Sequence, residues 1–263
     1  MVLRINSIGV EIECGIDDEP FETLREQALT DRHLAIHYDG SVHVDDFAHS
    51  DSEICYYGKP NKVFEFIEKM FNEYEIGTNR SCGTHVHYRF NDMQKALSIF
   101  SSQYFWNAYR QKYIEKFNGK RKYLQRFEND YSEFPNEYDL NSIVEQIKSK
   151  GKTSYRYRAI NANSFNLNKT LEMRIMPYFE SAEEAIDSIK WQNDTITELM
   201  NVDKISAIHS LSRHFESYED TFESKKEVIV PKNVAIPIGK IISGNILNTK
   251  MIVNTPQKIY LKV

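Results

Sequence analysis

Three short segments of the sequence carry two ionisable residues at alternate positions. The pairs are Glu11 and Glu13, His85 and His87, and Glu172 and Arg174. Since side chains at positions i and i+2 of a β-strand project from the same face, each pair would point to one side of a sheet. If the three strands are neighbours, carboxylates, imidazoles and an arginine meet on one surface.

Carboxylates combined with imidazoles are suited to divalent cations. Mostly oxygen ligands favour Mg²⁺ or Mn²⁺, whereas an all-histidine set favours zinc. Arg174, two residues after Glu172, could bind phosphate or carboxylate, or stabilise charge in a transition state. One such pair is more simply explained as part of a solvated sheet face. Three pairs, together with Glu53 after the turn at residues 39–41, favour a metal site.

The apolar pattern predicts the elements that position these residues. Strands are predicted over 3–14, 52–57, 84–90, 154–161 and 169–176, with a hairpin over 37–44 around Asp39 and Gly40. Helices are predicted over 22–36, 60–75, 92–117, 140–148 and 181–200, the last with a capping box of Ser181 and Glu184. Strands and helices mix without strict βαβ order, which favours an α+β fold with a largely antiparallel sheet.

Composition excludes several classes of protein. The 263 residues are 41% hydrophobic and 27% charged, as in an ordinary globular protein. The net charge of −5 gives no support to a nucleic-acid partner. No apolar stretch is long enough for a transmembrane helix, and the N-terminus lacks the apolar core of a secretory signal. Three cysteines are too few for a disulfide scaffold, so we expect reduced thiols and a cytoplasmic location.

The ordered motifs of the chain resemble those of a known family. They are Gly9-Val10-Glu11-Ile12-Glu13, Asp39-Gly40-Ser41, Glu53, Ser81-Cys82-Gly83-Thr84-His85-Val86-His87, Arg156-Tyr157 with Asn161, and Thr170-Leu171-Glu172-Met173-Arg174. In this order they resemble amidoligases, the carboxylate–amine ligases related to glutamine synthetase and glutamate–cysteine ligase. The resemblance covers residues 4–200. It implies a curved, mostly antiparallel sheet flanked by helices, the glutamine-synthetase-like catalytic fold.

The resemblance also implies roles for individual residues. The positions that match the family's Mg²⁺ (or Mn²⁺) ligands are Glu11, Glu13, Glu53, His85 and Glu172. Arg174 matches an arginine near the transferred phosphoryl group, and His87 a position close to the nucleotide phosphates. With Arg174 and Glu172 we group Asp39 as catalytic, orienting either a metal-bound water or the amine, or else simply forming a turn. Four arginines are candidates for contacts with substrate or nucleotide, and the sequence does not choose among them: Arg121, Arg126, Arg156 and Arg158.

The implied activity is ATP-dependent ligation. A carboxylate, on an amino acid, a peptide or a protein side chain, is phosphorylated by ATP, and an amine then displaces phosphate to give an amide. Residues 1–202 would form the catalytic domain and 203–263 an extension of unknown role. Two alternatives stay open: a metal-dependent hydrolase that uses the His85-x-His87 pair, and an inactive binding protein on the same fold. The oligomeric state is not predicted.

Other features of the sequence receive a plainer interpretation. His33, His37, His43 and His49 straddle a turn without tight ligand spacing, which favours surface histidines over a metal site. Cys14 lies on the apolar side of its strand, and it and Cys82 are interpreted as buried thiols rather than nucleophiles. Tyr56 and Tyr57 are bulkier than the residues usual in the family, so we expect them to reshape the substrate pocket.

Overall fold

The computed structural model describes residues 2–128, 132, 134–135, 158–161 and 163–201, and the backbone of four strands between residues 225 and 262. The chain divides into two compact units, Met1–Asp203 and Lys204–Val263. The predicted helix at 140–148 and Arg156 lie outside the described residues. The predicted assignment of catalysis to residues 1–202 stays a prediction.

The first unit is built on an antiparallel sheet of six strands. Its strands are β1 (Ile5–Ile16), β2 (Leu34–Tyr38), β3 (His49–Gly58), β4 (Gly83–Phe90), β5 (Ile160–Asn161) and β6 (Leu171–Pro177), in the spatial order β2-β3-β1-β4-β6-β5. All of the pairings are antiparallel. The predicted α+β class is therefore confirmed. The curvature of the sheet and its likeness to glutamine synthetase stay predictions.

The described part of this unit contains helices, several of which cover the apolar face of the sheet. They are α1 (Asp18–Ala28), α2 (Pro60–Asn72), α3 (Met93–Phe100), α4 (Gln103–Lys116), α5 (Arg121–Leu124) with the 3₁₀ turn Gln125–Glu128, α6 (Asn163–Asn168) and α7 (Ala182–Asn201). Helix α2 packs against β1, β3 and α7, and α7 also packs against α4. Alternation in β1 buries Ile8, Val10 and Ile12 beneath these helices. Glu11 and Glu13 project from the other side of the sheet, which we call the polar face.

Two predictions near the second strand are wrong. The helix predicted over 22–36 covers only Asp18–Ala28, and Leu34 and Ile36 belong to β2, where both lie toward the core. The hairpin predicted over 37–44 does not close tightly, since β2 pairs with a strand that starts only at His49. The intervening segment is residues 39–48. Its Val42, Val44 and Phe47 pack with Cys82 in a separate small core.

The helix predicted over 92–117 is broken in two. Asp92 caps α3 by accepting the Lys95 backbone N–H at 2.9 Å, as predicted. The chain then turns at Ser101 and Ser102 before α4 begins. The break buries both Phe100 and Trp106, and the Trp106 indole N–H donates to the Phe100 carbonyl at 2.6 Å. Half of the capping box predicted for α7 is present, because the Glu184 N–H donates to Ser181 Oγ at 3.2 Å, whereas the Glu184 carboxylate accepts the N–H of Glu180 and not that of Ser181.

The second unit contains two antiparallel pairs of strands. Lys225–Val230 (β7) pairs with Gln257–Lys262 (β10), and Ala235–Ile242 (β8) pairs with Asn245–Ile252 (β9). In the parts of both units that the structure describes, no helix combines the length and apolar character needed to span a bilayer.

Candidate active site

The register of the sheet brings the predicted residue pairs together. Strands β1, β4 and β6 are direct neighbours, as the three-pair pattern requires. Glu11 lies opposite His85, and His87 lies opposite Glu172. On the other side of β1, Glu13 lies opposite Glu53 of β3. Residues opposite one another in a sheet share a face, so the ionisable side chains of four strands form one cluster.

Glu11 lies at the centre of this cluster and bonds to both histidines. Its Oε1 lies 2.6 Å from His87 Nε2, and its Oε2 lies 3.1 Å from His85 Nδ1. Burial would raise the pKa of Glu11, but the hydrogen bonds and charges of the two imidazoles hold it well below its usual range. For His87, burial alone would lower the pKa, but the hydrogen bond and charge of Glu11 raise the pKa above its usual value. Glu11 is therefore held as a carboxylate.

Glu13 is buried one pleat further along β1. Its Oε2 accepts the Gly83 backbone N–H at 2.5 Å, and its Oε1 lies 3.5 Å from His85 Nε2. A methyl group at Gly83 would lie 3.3 Å from that carboxylate and 3.2 Å from Arg126 Nη2. The glycine thus permits the close approach of a carboxylate and a guanidinium to the backbone at the start of β4.

Glu53 and Asp39 complete the acidic side of the cluster. Burial, followed by the charges of Glu11 and Glu13, raises the pKa of Glu53 to about 7. For Asp39, hydrogen bonds from Ser41 outweigh burial and lower the pKa. The Asp39 carboxylate accepts the Ser41 N–H at 2.8 Å and its hydroxyl at 2.6 Å, so the predicted turn role is present. An oxygen of Asp39 is still within 4.8 Å of oxygens of Glu13 and Glu53.

On β6, Glu172 and Arg174 form an ion pair at the edge of the cluster. Arg174 Nη1 lies 2.5 Å from Glu172 Oε1, and the Asn161 side-chain amide donates to Glu172 Oε2 at 2.6 Å. Arg174 and Ile175 both lie opposite His85, which marks a β-bulge in β6. Burial would lower the pKa of Arg174, but the partner carboxylate raises it.

The predicted metal ligands fall into three sets of donors that could each hold a divalent cation. Within each set the donor atoms lie no more than 4.8 Å apart: Glu11, Glu53 and His85; Glu11, His87 and Glu172; Glu13, Asp39 and Glu53. Hard carboxylate oxygens with one imidazole are ligands that suit Mg²⁺ or Mn²⁺. The donor chemistry therefore fits the expected ion. His87 and Asp39 join these sets although the sequence assigned them other roles.

Arg126 is a residue that sequence reasoning left among four candidates. It is only 8% exposed, and its Nη2 donates to the Arg174 carbonyl at 2.8 Å. Its Nε is buried and has no hydrogen-bond partner within the described part of the chain. Burial lowers the pKa of this guanidinium, with partial compensation from Tyr113 and Glu13. Of the other candidates, Arg121 is exposed and Arg158 is partly buried.

A pocket of about 410 Å³ adjoins the cluster on the polar face. Gly9 forms part of its floor, where a methyl group would lie 3.2 Å from the Tyr57 Cβ and 3.4 Å from the His87 Cβ. Glu11 and His87 lie on one wall, and the further lining includes Arg32, His37, Cys55 and Arg89. Tyr56 and Tyr57 both line this pocket, and Tyr56 also stacks on Phe66. That they reshape a substrate pocket stays a prediction.

Fold and site together define an α+β protein with a carboxylate, imidazole and arginine cluster on one face of its sheet. The sequence model of a protein family described as "putative amidoligase enzyme" matches residues 51–196. The chain belongs to this amidoligase family, which makes it an amide-bond-forming ligase at the level of class. None of the curated proteins matches the sequence.

The matched residues contain only part of the candidate site. Glu53, His85 and Glu172 lie inside the match, whereas Glu11 and Glu13 precede it. Strand β1 nevertheless lies between β3 and β4 in the sheet. The cluster is therefore completed by a strand outside the matched segment.

Proposed function

We propose that the protein is an ATP-dependent carboxylate–amine ligase that uses Mg²⁺ and forms an acyl phosphate. The supporting observation is the cluster itself: carboxylates of four sequence segments converge beside one buried arginine, Arg126, and one partly buried arginine, Arg174. An acidic cluster alone would serve any divalent cation. The adjacent guanidinium groups add the preference for an anionic group that phosphoryl transfer to a carboxylate requires.

Mg²⁺ would be held by Glu11, Glu13, Glu53, His85 and Glu172, with His87 and Asp39 as neighbouring donors. When bound, it neutralises the charge on the phosphate oxygens of ATP. The chain's own contribution is to place the carboxylates at fixed positions. Glu11 is held by two imidazoles, Glu13 by the Gly83 N–H, and Glu172 by Asn161 and Arg174.

Arg174 and Arg126 would bind the transferred phosphoryl group and the substrate carboxylate. The Arg174 guanidinium is paired with Glu172, and the Arg126 guanidinium donates to the Arg174 backbone carbonyl, so these bonds hold both side chains beside the same segment of β6. In the first step a carboxylate oxygen bonds to the γ-phosphorus and ADP leaves. In the second the amine nitrogen bonds to the acyl carbon, phosphate leaves, and the amine loses a proton.

The pocket beside Glu11 would receive part of ATP or the carboxylate substrate. Its lining combines the Gly9 floor with Arg32 and Arg89, which suits an anionic ligand. The acceptor is an amine, and no nucleic acid or membrane partner is proposed. A reaction that consumes ATP, together with the free thiols Cys14, Cys55 and Cys82, supports a cytoplasmic location.

A thermal-shift series tests ATP use directly. The conditions are no ligand, Mg²⁺ alone, ATP alone, both together, and Mg²⁺ with a non-hydrolysable ATP analogue. We expect a shift that needs metal and nucleotide together, since a ligand that binds only the folded state stabilises it. A shift with the metal alone would favour the hydrolase alternative, and no shift at all would favour the inactive binding protein.

The variant Arg174→Ala separates the binding of Mg²⁺ and ATP from turnover. After carboxylate–amine pairs have been screened for ADP release, this variant should lose activity by a factor of about 100 or more, typical of removing one group that stabilises transition-state charge. Its shift with Mg²⁺ and ATP should survive. Arg25→Ala is the matched control, because Arg25 is exposed and pairs with Glu22 on the surface of α1. Near-normal activity in Arg174→Ala would remove Arg174 from the mechanism.

A further inference from the structure

A second kind of metal-binding set lies next to the oxygen-rich cluster. Glu53 and Cys55 are two residues apart on β3, so both side chains project to the polar face. His37 on β2 lies directly opposite Glu53. One donor atom from each of His37, Glu53 and Cys55 lies within 4.8 Å of the others. The register of two paired strands, rather than the conformation of a loop, fixes this arrangement.

The chemistry of this set differs from that of its neighbours. Mg²⁺ binds oxygen ligands and does not select sulfur, whereas Zn²⁺ and similar ions take thiolate, imidazole and carboxylate together. Three protein donors leave a fourth tetrahedral position for water or a ligand. Cys55 Sγ lies 3.8 Å from Glu53 Oε1, so sulfur and oxygen already face the same space.

An ion can reach this set from solvent. His37 is exposed, and Glu53 and Cys55 are partly buried. Both His37 and Cys55 line the 410 Å³ pocket. Glu11 lies on the same face, opposite Cys55 across the β1–β3 pair. Its negative charge and that of Glu53 disfavour an isolated thiolate but attract a divalent cation, which would replace the thiol proton.

We propose that His37, Glu53 and Cys55 bind Zn²⁺ or a chemically similar transition-metal ion. Glu53 also belongs to two of the oxygen-rich sets. A zinc ion here would therefore withdraw Glu53 from Mg²⁺, and zinc would inhibit the ligase. The proposal of zinc binding depends only on the positions of the three donors, whereas the proposal that zinc inhibits the enzyme also depends on the proposed function.

Cobalt(II) provides a test that needs neither ATP nor turnover. Added to the full-length protein, Co²⁺ bound by a thiolate produces an intense near-ultraviolet charge-transfer band. We expect this band in the wild type, its loss in Cys55→Ser, and at least about tenfold weaker Co²⁺ binding in His37→Gln, because even outer partners of metal ligands contribute about 10–100-fold. Cys82→Ser and His43→Gln are matched controls, because neither residue belongs to the set.

Two outcomes would overturn the site: no band in the wild type, or a band unchanged in Cys55→Ser. Should the variants fold poorly, the wild type alone decides the matter by mass-spectrometric alkylation. Zn²⁺, and not Mg²⁺, should slow the modification of Cys55, and equal rates with and without zinc contradict the proposal.

The inhibitory consequence is tested separately. Zn²⁺ should reduce the thermal shift that Mg²⁺ and ATP give in the wild type, and should reduce it by a smaller fraction in Cys55→Ser, with each protein compared with its own zinc-free shift. A cobalt band without any Mg²⁺–ATP shift would leave the zinc site in place and contradict the ligase. A Mg²⁺–ATP shift that is equally sensitive to zinc in both proteins would contradict the inhibition through Cys55.

Discussion

At the scale of single residues, burial disfavours the charged Arg126 guanidinium, and Tyr113 and Glu13 offset that effect only in part. A guanidinium that is 8% exposed, without an ion-pair partner among the described residues, loses much of its hydration. Replacing such a charge by an apolar side chain of similar length is often neutral or stabilising. An arginine kept there is more readily explained by an anionic ligand than by stability.

The variant Arg126→Met tests this interpretation. We expect the free energy of unfolding without ligand to stay within about 1 kcal/mol of the wild type or to rise, while ADP release falls by a factor of about 100. Urea denaturation and the ADP assay measure the two effects. A loss of stability greater than about 2 kcal/mol would instead indicate a structural role. The same change at exposed Arg25 should affect neither quantity.

Glu53 makes the stability of the metal-free protein depend on pH. Its pKa rises from an ordinary 4.5 to about 7 in the fold, so the folded state binds the proton more tightly than the unfolded chain. This contribution is fully present below about pH 4.5 and is lost as pH rises through about 7. Burial is the largest cause of this raised pKa; the charges of Glu11, Glu13 and Asp39 add to it, and that of His85 opposes it.

Glu53→Gln should remove that dependence. In chelator, its melting temperature should exceed that of the wild type at about pH 8, and the difference should shrink at about pH 5. Thermal melts at the two pH values measure this. Glu65→Gln, at an exposed position paired with Lys62, is the control. A constant difference between the two pH values would contradict the assignment of the raised pKa to Glu53.

At the scale of elements, the connection between β2 and β3 packs against a glycine, and this packing requires that the glycine has no side chain. Gly15 and Gly77 exchange backbone hydrogen bonds at 2.8 and 2.9 Å. The Phe47 ring packs so closely over Gly77 that an added methyl group would overlap it. The segment that carries Asp39 is also bound through His43 to Asn79 and Ser81. Packing far from the cluster thus positions one of its carboxylates.

Gly77→Ala should displace Phe47 and loosen the segment at residues 39–48. We expect a loss of about 2–4 kcal/mol, as for other overpacked or disrupted core sites, with weaker binding of Mg²⁺ and ATP. Urea denaturation measures the first effect and the thermal shift the second. In the double variant with Phe47→Ala, the two losses should be less than additive. Strict additivity would show that the glycine and the ring do not interact.

The sequence predicted the parts of the site that depend on strand periodicity. Alternation alone places Glu11 with Glu13, and His85 with His87, on one face. It could not show that the strands carrying them are neighbours, which depends on pairings between distant segments. Arg126 follows α5 in a 3₁₀ turn, where no periodic pattern marks it. The spacing of His37 from the neighbouring histidines gives no metal signal, and the donors that do lie near it, Glu53 and Cys55, belong to another strand.

At the scale of the whole sheet, the candidate site joins strands that are far apart in sequence. Its ligands come from β1, β3, β4 and β6, and Asp39 follows β2. The carboxylates repel one another without a cation, so the centre of the sheet is stabilised less than its apolar packing allows. Ligand binding should therefore act on the sheet as a unit rather than on one strand.

Hydrogen exchange can detect this coupling. With Mg²⁺ and ATP at about 100 times their dissociation constant, the folded state gains about 2.7 kcal/mol. Amide protection should then rise together in β1, β3, β4 and β6, including the Gly83 N–H that Glu13 accepts. Glu172→Gln should abolish the gain in all four strands, although it alters only β6. Protection confined to one strand, or retained in this variant, would mean that the ligands do not bind across the sheet.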